Sequence, residues 1–120
     1  MLLNCRTCRE CGAQFQPRRP SADFCGAACR KAFNNRRLAR GAQFYDAIMH
    51  LRFEREAAKH FRTFALICRL AAEFRAQDLR DRNGRLSWDK PDKLRARKPH
   101  LDSLVVGRMV AGRSRSAVRV

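Results

Sequence analysis

Four cysteines near the start of the chain stand in two pairs, Cys8-x2-Cys11 and Cys25-x3-Cys29, with thirteen residues between them. Thiolates two or three residues apart can grip one ion from a single turn, and zinc prefers four soft ligands in a tetrahedron. Gly12 follows the second cysteine and permits the tight turn that points both sulfurs inward. Cys25 and Cys29, four residues apart, share one helical face. A helix N-terminus favours negative charge, which suits thiolates placed there. The expected chemistry is a structural zinc site with Cys8, Cys11, Cys25 and Cys29 as ligands. Such a site leaves no open position for water or substrate. The chain also shows no Ser–His–Asp set, acidic pair or Gly-rich phosphate loop. We therefore expect no enzyme and no small-molecule substrate.

Disulfides are the main alternative, and they belong to oxidising compartments. Met1-Leu2-Leu3 is followed at once by Asn4, Cys5 and Arg6, so no apolar export segment stands there, and a cytoplasmic protein is expected. The spacings do not match ferredoxin iron–sulfur runs. Cys5 forms a second C-x2-C with Cys8, but Gly12 favours Cys11 as the ligand. Cys68 lies in an apolar stretch and reads as core. His50, His60 and His100 lack metal-ligand spacing.

The elements that must position this site begin with residues 13–24, too few to bury a core. Phe15 and Phe24 are expected to flank the metal, and Pro17 and Pro20 stiffen a tip that exposes Arg18 and Arg19. From Ala27 the pattern turns helical, and Arg30, Lys31, Arg36, Arg37 and Arg40 place five cations in eleven residues. On a helix they form a basic stripe running out of the cysteine site. Asn34 and Asn35 face either base edges or their own backbone, and Gly41 marks a kink or close packing.

Farther on, Phe44, Ile48 and Leu51 form one apolar register, with Tyr45, Met49 and Phe53 beside it. A second helix is expected over about 58–82, with one stripe of Phe61, Phe64, Ala65 and Cys68 and another of Ile67, Leu70 and Phe74. The spacing predicts an antiparallel pair facing through Phe44, Ile48, Leu51, Phe61, Phe64 and Cys68. One unbroken helix with dimerisation through the same face is the rival. Asn83-Gly84 signals the stop. Beyond it Trp88 is expected to clip onto the helices, a helical turn or two to fall within 92–98, and Leu101 to Val106 to add an apolar turn.

The cysteine stretch also resembles a family. C-x2-C-G-x2-F, a short basic hairpin and [FY]-C-[SG]-x2-C-R form the pattern of treble-clef zinc fingers of the MYM and TRASH types. Cys8, Cys11, Gly12, Phe15, Phe24, Cys25, Gly26, Cys29 and Arg30 meet it here. The continuation FNNRRLARGAQFYDAIMHLRFER is similar to that of short bacterial proteins carrying such a finger ahead of helices. The resemblance covers roughly residues 6–75, departing at Gly26, where Ser is common, and at the extra Cys5. It implies a zinc knuckle, a β-hairpin and a helix, with the same four cysteines as ligands.

The expected fold is thus mainly α. A treble-clef finger with its basic helix occupies 5–40, a helical segment 41–84, an irregular segment with short helices 85–106, and a disordered basic tail 107–120. A net charge of +16 favours polyanionic partners, or serves as a solubilising surface. No apolar run approaches the length of a membrane span. Two functions follow. One is nucleic-acid binding through Arg18, Arg19, Arg30, Lys31, Arg36, Arg37 and Arg40. The other is an adaptor whose apolar helices take a protein partner or a second copy.

Overall fold

The computed structural model describes residues 5–104, which fall into two compact units divided between Ser87 and Trp88. The expectations for residues 105–120, the basic tail among them, lie outside the described residues.

The first unit is mainly helical with one small sheet. Strands β1 (Arg6–Thr7) and β2 (Gln14–Phe15) pair antiparallel, Arg6 opposite Phe15 and Thr7 opposite Gln14. The cysteine turn therefore sits at the tip of this ribbon. The hairpin expected within residues 13–24 is absent, because Pro17 and Pro20 remove ladder donors just where a return strand would pair.

Helix α1 (Ala27–Phe53) starts from an extended Gly26 with no side-chain cap and no acidic residue in its first turn. It runs without a break through Gly41, where nothing lies within 4 Å of a built Cβ. Neither of the roles expected of Gly41 is seen: the helix continues and no neighbour presses on it. At Glu54 the backbone leaves helical geometry, and α2 (Arg55–His60) follows at once. Arg62 then adopts the left-handed conformation, φ 54, and α3 (Thr63–Asp81) begins. Asn83 and Gly84 take positive φ after α3, and the Gly84 N–H donates back to the Asp78 carbonyl, so the stop signal acts as the sequence predicts.

The helices fold back as a hairpin rather than as one unbroken rod. Arg40 meets Asp78 and Phe44 meets Phe74, so positions rise along α1 as they fall along α3, which makes the pair antiparallel. The Phe44 and Phe74 rings meet edge to face at 5.7 Å, beside the buried Ala47. Half-buried Leu51, Ile67 and Leu70 continue the seam. Of the two stripes on α3, the one used is Ile67–Leu70–Phe74, which continues one turn later to Asp78. Phe44 and Leu51 lie as expected, but Ile48, Phe61, Phe64 and Cys68 are exposed. The face is rotated because Asp78 is fully buried and must turn inward to find cationic partners.

The second unit holds α4 (Pro91–Arg97), with proline in its first turn and Asp92 accepting a bond from the Lys93 N–H. Residues 99–104 are helical too, and Arg95 pairs with Asp102.

The rotation makes a measurable prediction. Asp78→Ala should lower the unfolding free energy by about 3–5 kcal/mol in urea titrations, since it strands buried cations. Cys68→Ser, at an exposed site, should change it by less than about 0.5 kcal/mol. The reverse ranking would show that the Cys68 stripe carries the packing.

Candidate metal centre

The ribbon tip and the start of α1 bring four sulfurs together. The Sγ atoms of Cys8, Cys11, Cys25 and Cys29 all lie within 4.8 Å of one another, and this set could hold a metal ion. Cys11 and Cys25 are 3.7 Å apart, Cys25 and Cys29 3.6 Å. A tetrahedral ion with metal–sulfur bonds of about 2.3 Å needs sulfurs about 3.8 Å apart, so these separations fit.

The local backbone explains the arrangement. Gly12 takes φ +80, the Cys8 N–H donates to the Ala13 carbonyl at 2.8 Å, and the Gly12 N–H donates to the Cys8 carbonyl at 3.0 Å. This left-handed turn is the one for which the sequence reserves glycine. The Ala13 N–H points at the Cys11 sulfur and the Cys25 N–H at the Cys8 sulfur, both at 3.4 Å. Such donors offset thiolate charge. Cys5 stands apart, its thiol donating to the Gln14 side-chain oxygen at 2.7 Å, so the structure selects Cys11 over Cys5.

The sulfurs are not equivalent. Burial opposes the Cys8 thiolate, but bonds from the backbone N–H groups of Cys11, Cys25 and Glu10 and from the Cys11 side chain outweigh it. The Cys8 pKa falls to about 6. Cys29 is pushed up to about 12 by its hydrogen bond with Cys25, then by desolvation and by its bonds with Cys8 and Cys11. For Cys25 the bond with Cys29 favours the thiolate. The bonds with Cys11 and Cys8, together with desolvation, outweigh it and raise the pKa. A cation entering the cluster must displace the protons of Cys25 and Cys29, whose thiolates these contacts disfavour.

Around the cysteines lies a second constellation. Glu10 sits inside the Cys8–Cys11 turn, and both its carboxylate oxygens accept from Arg36, at 2.7 and 2.6 Å. Arg82 reaches the same carboxylate at 3.0 Å and donates to the Arg9 carbonyl at 2.9 Å. Although desolvation alone would raise the Glu10 pKa, the Arg36 and Arg82 guanidinium groups hold it below the ordinary carboxylate range. One helical turn farther along α1, Arg40 pairs with Asp78 at 3.1 Å. The Ser87 N–H and hydroxyl also donate to Asp78, at 2.9 and 3.2 Å. Arg37 closes the ring by donating to the Ser87 carbonyl at 2.8 Å. Phe33 is buried among these cations, with Arg9 4.5 Å from its ring centre and Arg36, Arg37 and Arg82 each at 5.8 Å. Phe24 packs on the same ring at 5.1 Å.

The stripe read from the sequence therefore divides. Arg36, Arg37 and Arg40 are half-buried and tie the cysteine ribbon, α1 and the end of α3 together. Arg18, Arg19, Arg30 and Lys31 are exposed, and none of the four is in an ion pair among the described residues. Sequence reasoning missed Glu10, Asp78, Arg82 and Ser87. For Asp78 the signal was its place four residues after Phe74 on the inward stripe of α3. Glu10 carried only its position between two ligands.

No family model matches this chain, and neither a curated protein nor a solved structure does. The MYM/TRASH likeness rests on the motif alone.

A double-mutant cycle tests whether Glu10 links the cysteine turn to α1. Glu10→Gln and Arg36→Gln should show a coupling of about 1–3 kcal/mol in unfolding free energy. Additive effects would reduce the bond to an incidental surface pair.

Proposed function

We propose that this protein is a zinc-binding, nucleic-acid-binding protein and not an enzyme. Zinc holds a small treble-clef finger, and the finger presents cations to a phosphate backbone. Four thiolates at tetrahedral spacing are a ligand set that suits zinc and fills its coordination sphere. A cysteine turn on a two-stranded ribbon, followed by a second pair at the start of a helix, matches the knuckle and helix of a treble clef, without the hairpin between them.

The observation that carries the reading is the set of unpaired cations next to the cysteines. Arg18 and Arg19 stand on a loop stiffened by Pro17 and Pro20, and Arg30 and Lys31 on the first turns of α1. All four side chains are exposed, so no internal carboxylate competes with a phosphate for them. Their backbone is pinned by the metal turn and the helix, which limits the entropy lost on binding. Arg36, Arg37 and Arg40 are engaged by Glu10, Ser87 and Asp78 and are not part of this set. Among the described residues no helix is long and apolar enough to cross a membrane.

Purified protein should contain about one equivalent of zinc, and Cys25→Ser should bring this below about half. Anisotropy titrations with duplex DNA and with an RNA hairpin at several salt concentrations then test the partner. Replacing Arg18, Arg19, Arg30 and Lys31 by Ala should weaken binding and leave the helical spectrum unchanged. The salt slope should flatten by about one unit for each phosphate no longer neutralised. A folded quadruple variant that binds like the parent contradicts the reading.

A further inference from the structure

The far end of the helical hairpin carries a feature that the finger does not explain. A groove of about 380 Å³ opens there between the helices. Leu51, Ala58, Phe64 and Ala65 form its apolar side, and Arg55, Lys59 and Arg62 stand along it. Phe64 is 66% exposed and the neighbouring Phe61 73%. Exposed Cys68 extends the apolar strip one turn beyond Phe64. Leu51 and buried Ala58 belong to the packing of the hairpin, but Phe61, Phe64 and Cys68 stay exposed and add little to it.

The cations gather at the same groove. Arg55 and Lys59 stand one turn apart on α2, and Arg62 joins them at the groove from the turn that follows. None of them is in an ion pair among the described residues. Arg62 also holds a left-handed backbone, φ 54, where glycine would sit without strain.

We infer that this groove docks an acidic amphipathic helix of a partner protein. The apolar ridge of that helix enters beside Leu51 and Phe64, and its carboxylates meet Arg55, Lys59 and Arg62. A second copy of this chain fits poorly, because a net charge of +16 and a repeated cationic group oppose association. A flat anionic bilayer does not match a concave floor. The surface is separate from the proposed nucleic-acid face. Leu51 lies 22 residues along α1 from Cys29, or about 33 Å at the helical rise.

The test uses the full, metal-loaded chain and a fluorescent helical peptide of about 20 residues with leucine on one face and glutamate flanking it. Binding should saturate and weaken with salt. Phe64→Ser alone, and Arg55→Glu with Lys59→Glu, should each weaken it by about tenfold or more while the helical spectrum stays unchanged. Replacing Arg18 and Arg19 by Ala should leave it intact, which separates this site from the finger. Equal binding of a lysine-flanked peptide, or no effect of Phe64→Ser, overturns the inference. So does dimerisation, or binding to phosphatidylglycerol vesicles, that Phe64→Ser abolishes.

Discussion

Two carboxylates set among guanidinium groups hold the first unit together. Glu10 and Asp78 sit within a cluster of Arg36, Arg40 and Arg82, with Ser87 completing the bonds of Asp78. A chain this small and this basic has few large apolar side chains buried. Among the described residues its buried apolar members are Cys8, Phe33, Ala47 and Ala58, and Asp78, Arg82, Ser87 and Thr63 are buried beside them. Such a core contributes less through burial of area than through the cost of leaving any member unpaired. It also explains orientation: α3 must turn Asp78 toward Arg40, and the rotation of the whole hairpin follows.

The same cluster links the cysteine turn to the helices. Glu10 lies between Cys8 and Cys11, so the backbone that places their sulfurs also places the carboxylate that Arg36 and Arg82 grip. A metal ion that fixes the turn therefore fixes the acceptor for both arginines. Interior bonding occupies the cations nearest this turn, while those on the loop and the first helical turns stay open to solvent. The positive charge around the cysteines is thus divided between side chains that hold the fold and side chains exposed to solvent.

Much of this was legible in the sequence. The cysteine spacings and Gly12 announced the sulfur cluster, because short-range geometry alone decides which thiols can share an ion. The helix stop at Asn83-Gly84 and the helical hairpin were readable for the same local reason. The rotation of the hairpin was not. Two apolar stripes on α3 were nearly equivalent by hydrophobicity, and the choice fell to one buried carboxylate whose partner on α1, Arg40, lies 38 residues away. The structural duty of Arg36, Arg37 and Arg40 was hidden likewise, since a stripe of arginines looks the same whether it faces water or a distant acid.

Amide hydrogen exchange of the first unit, before and after removal of bound metal by a chelator, tests the central claim most directly. The claim is that metal-ordered Glu10 holds the end of the helical hairpin. Exchange should rise in the Cys8–Cys11 turn and the first turns of α1. It should rise as well at the distant end of α3 and in the segment to Ser87, with a smaller change at the hairpin turn around Arg62. A rise confined to the cysteine segment, with the end of α3 as protected as before, would contradict it.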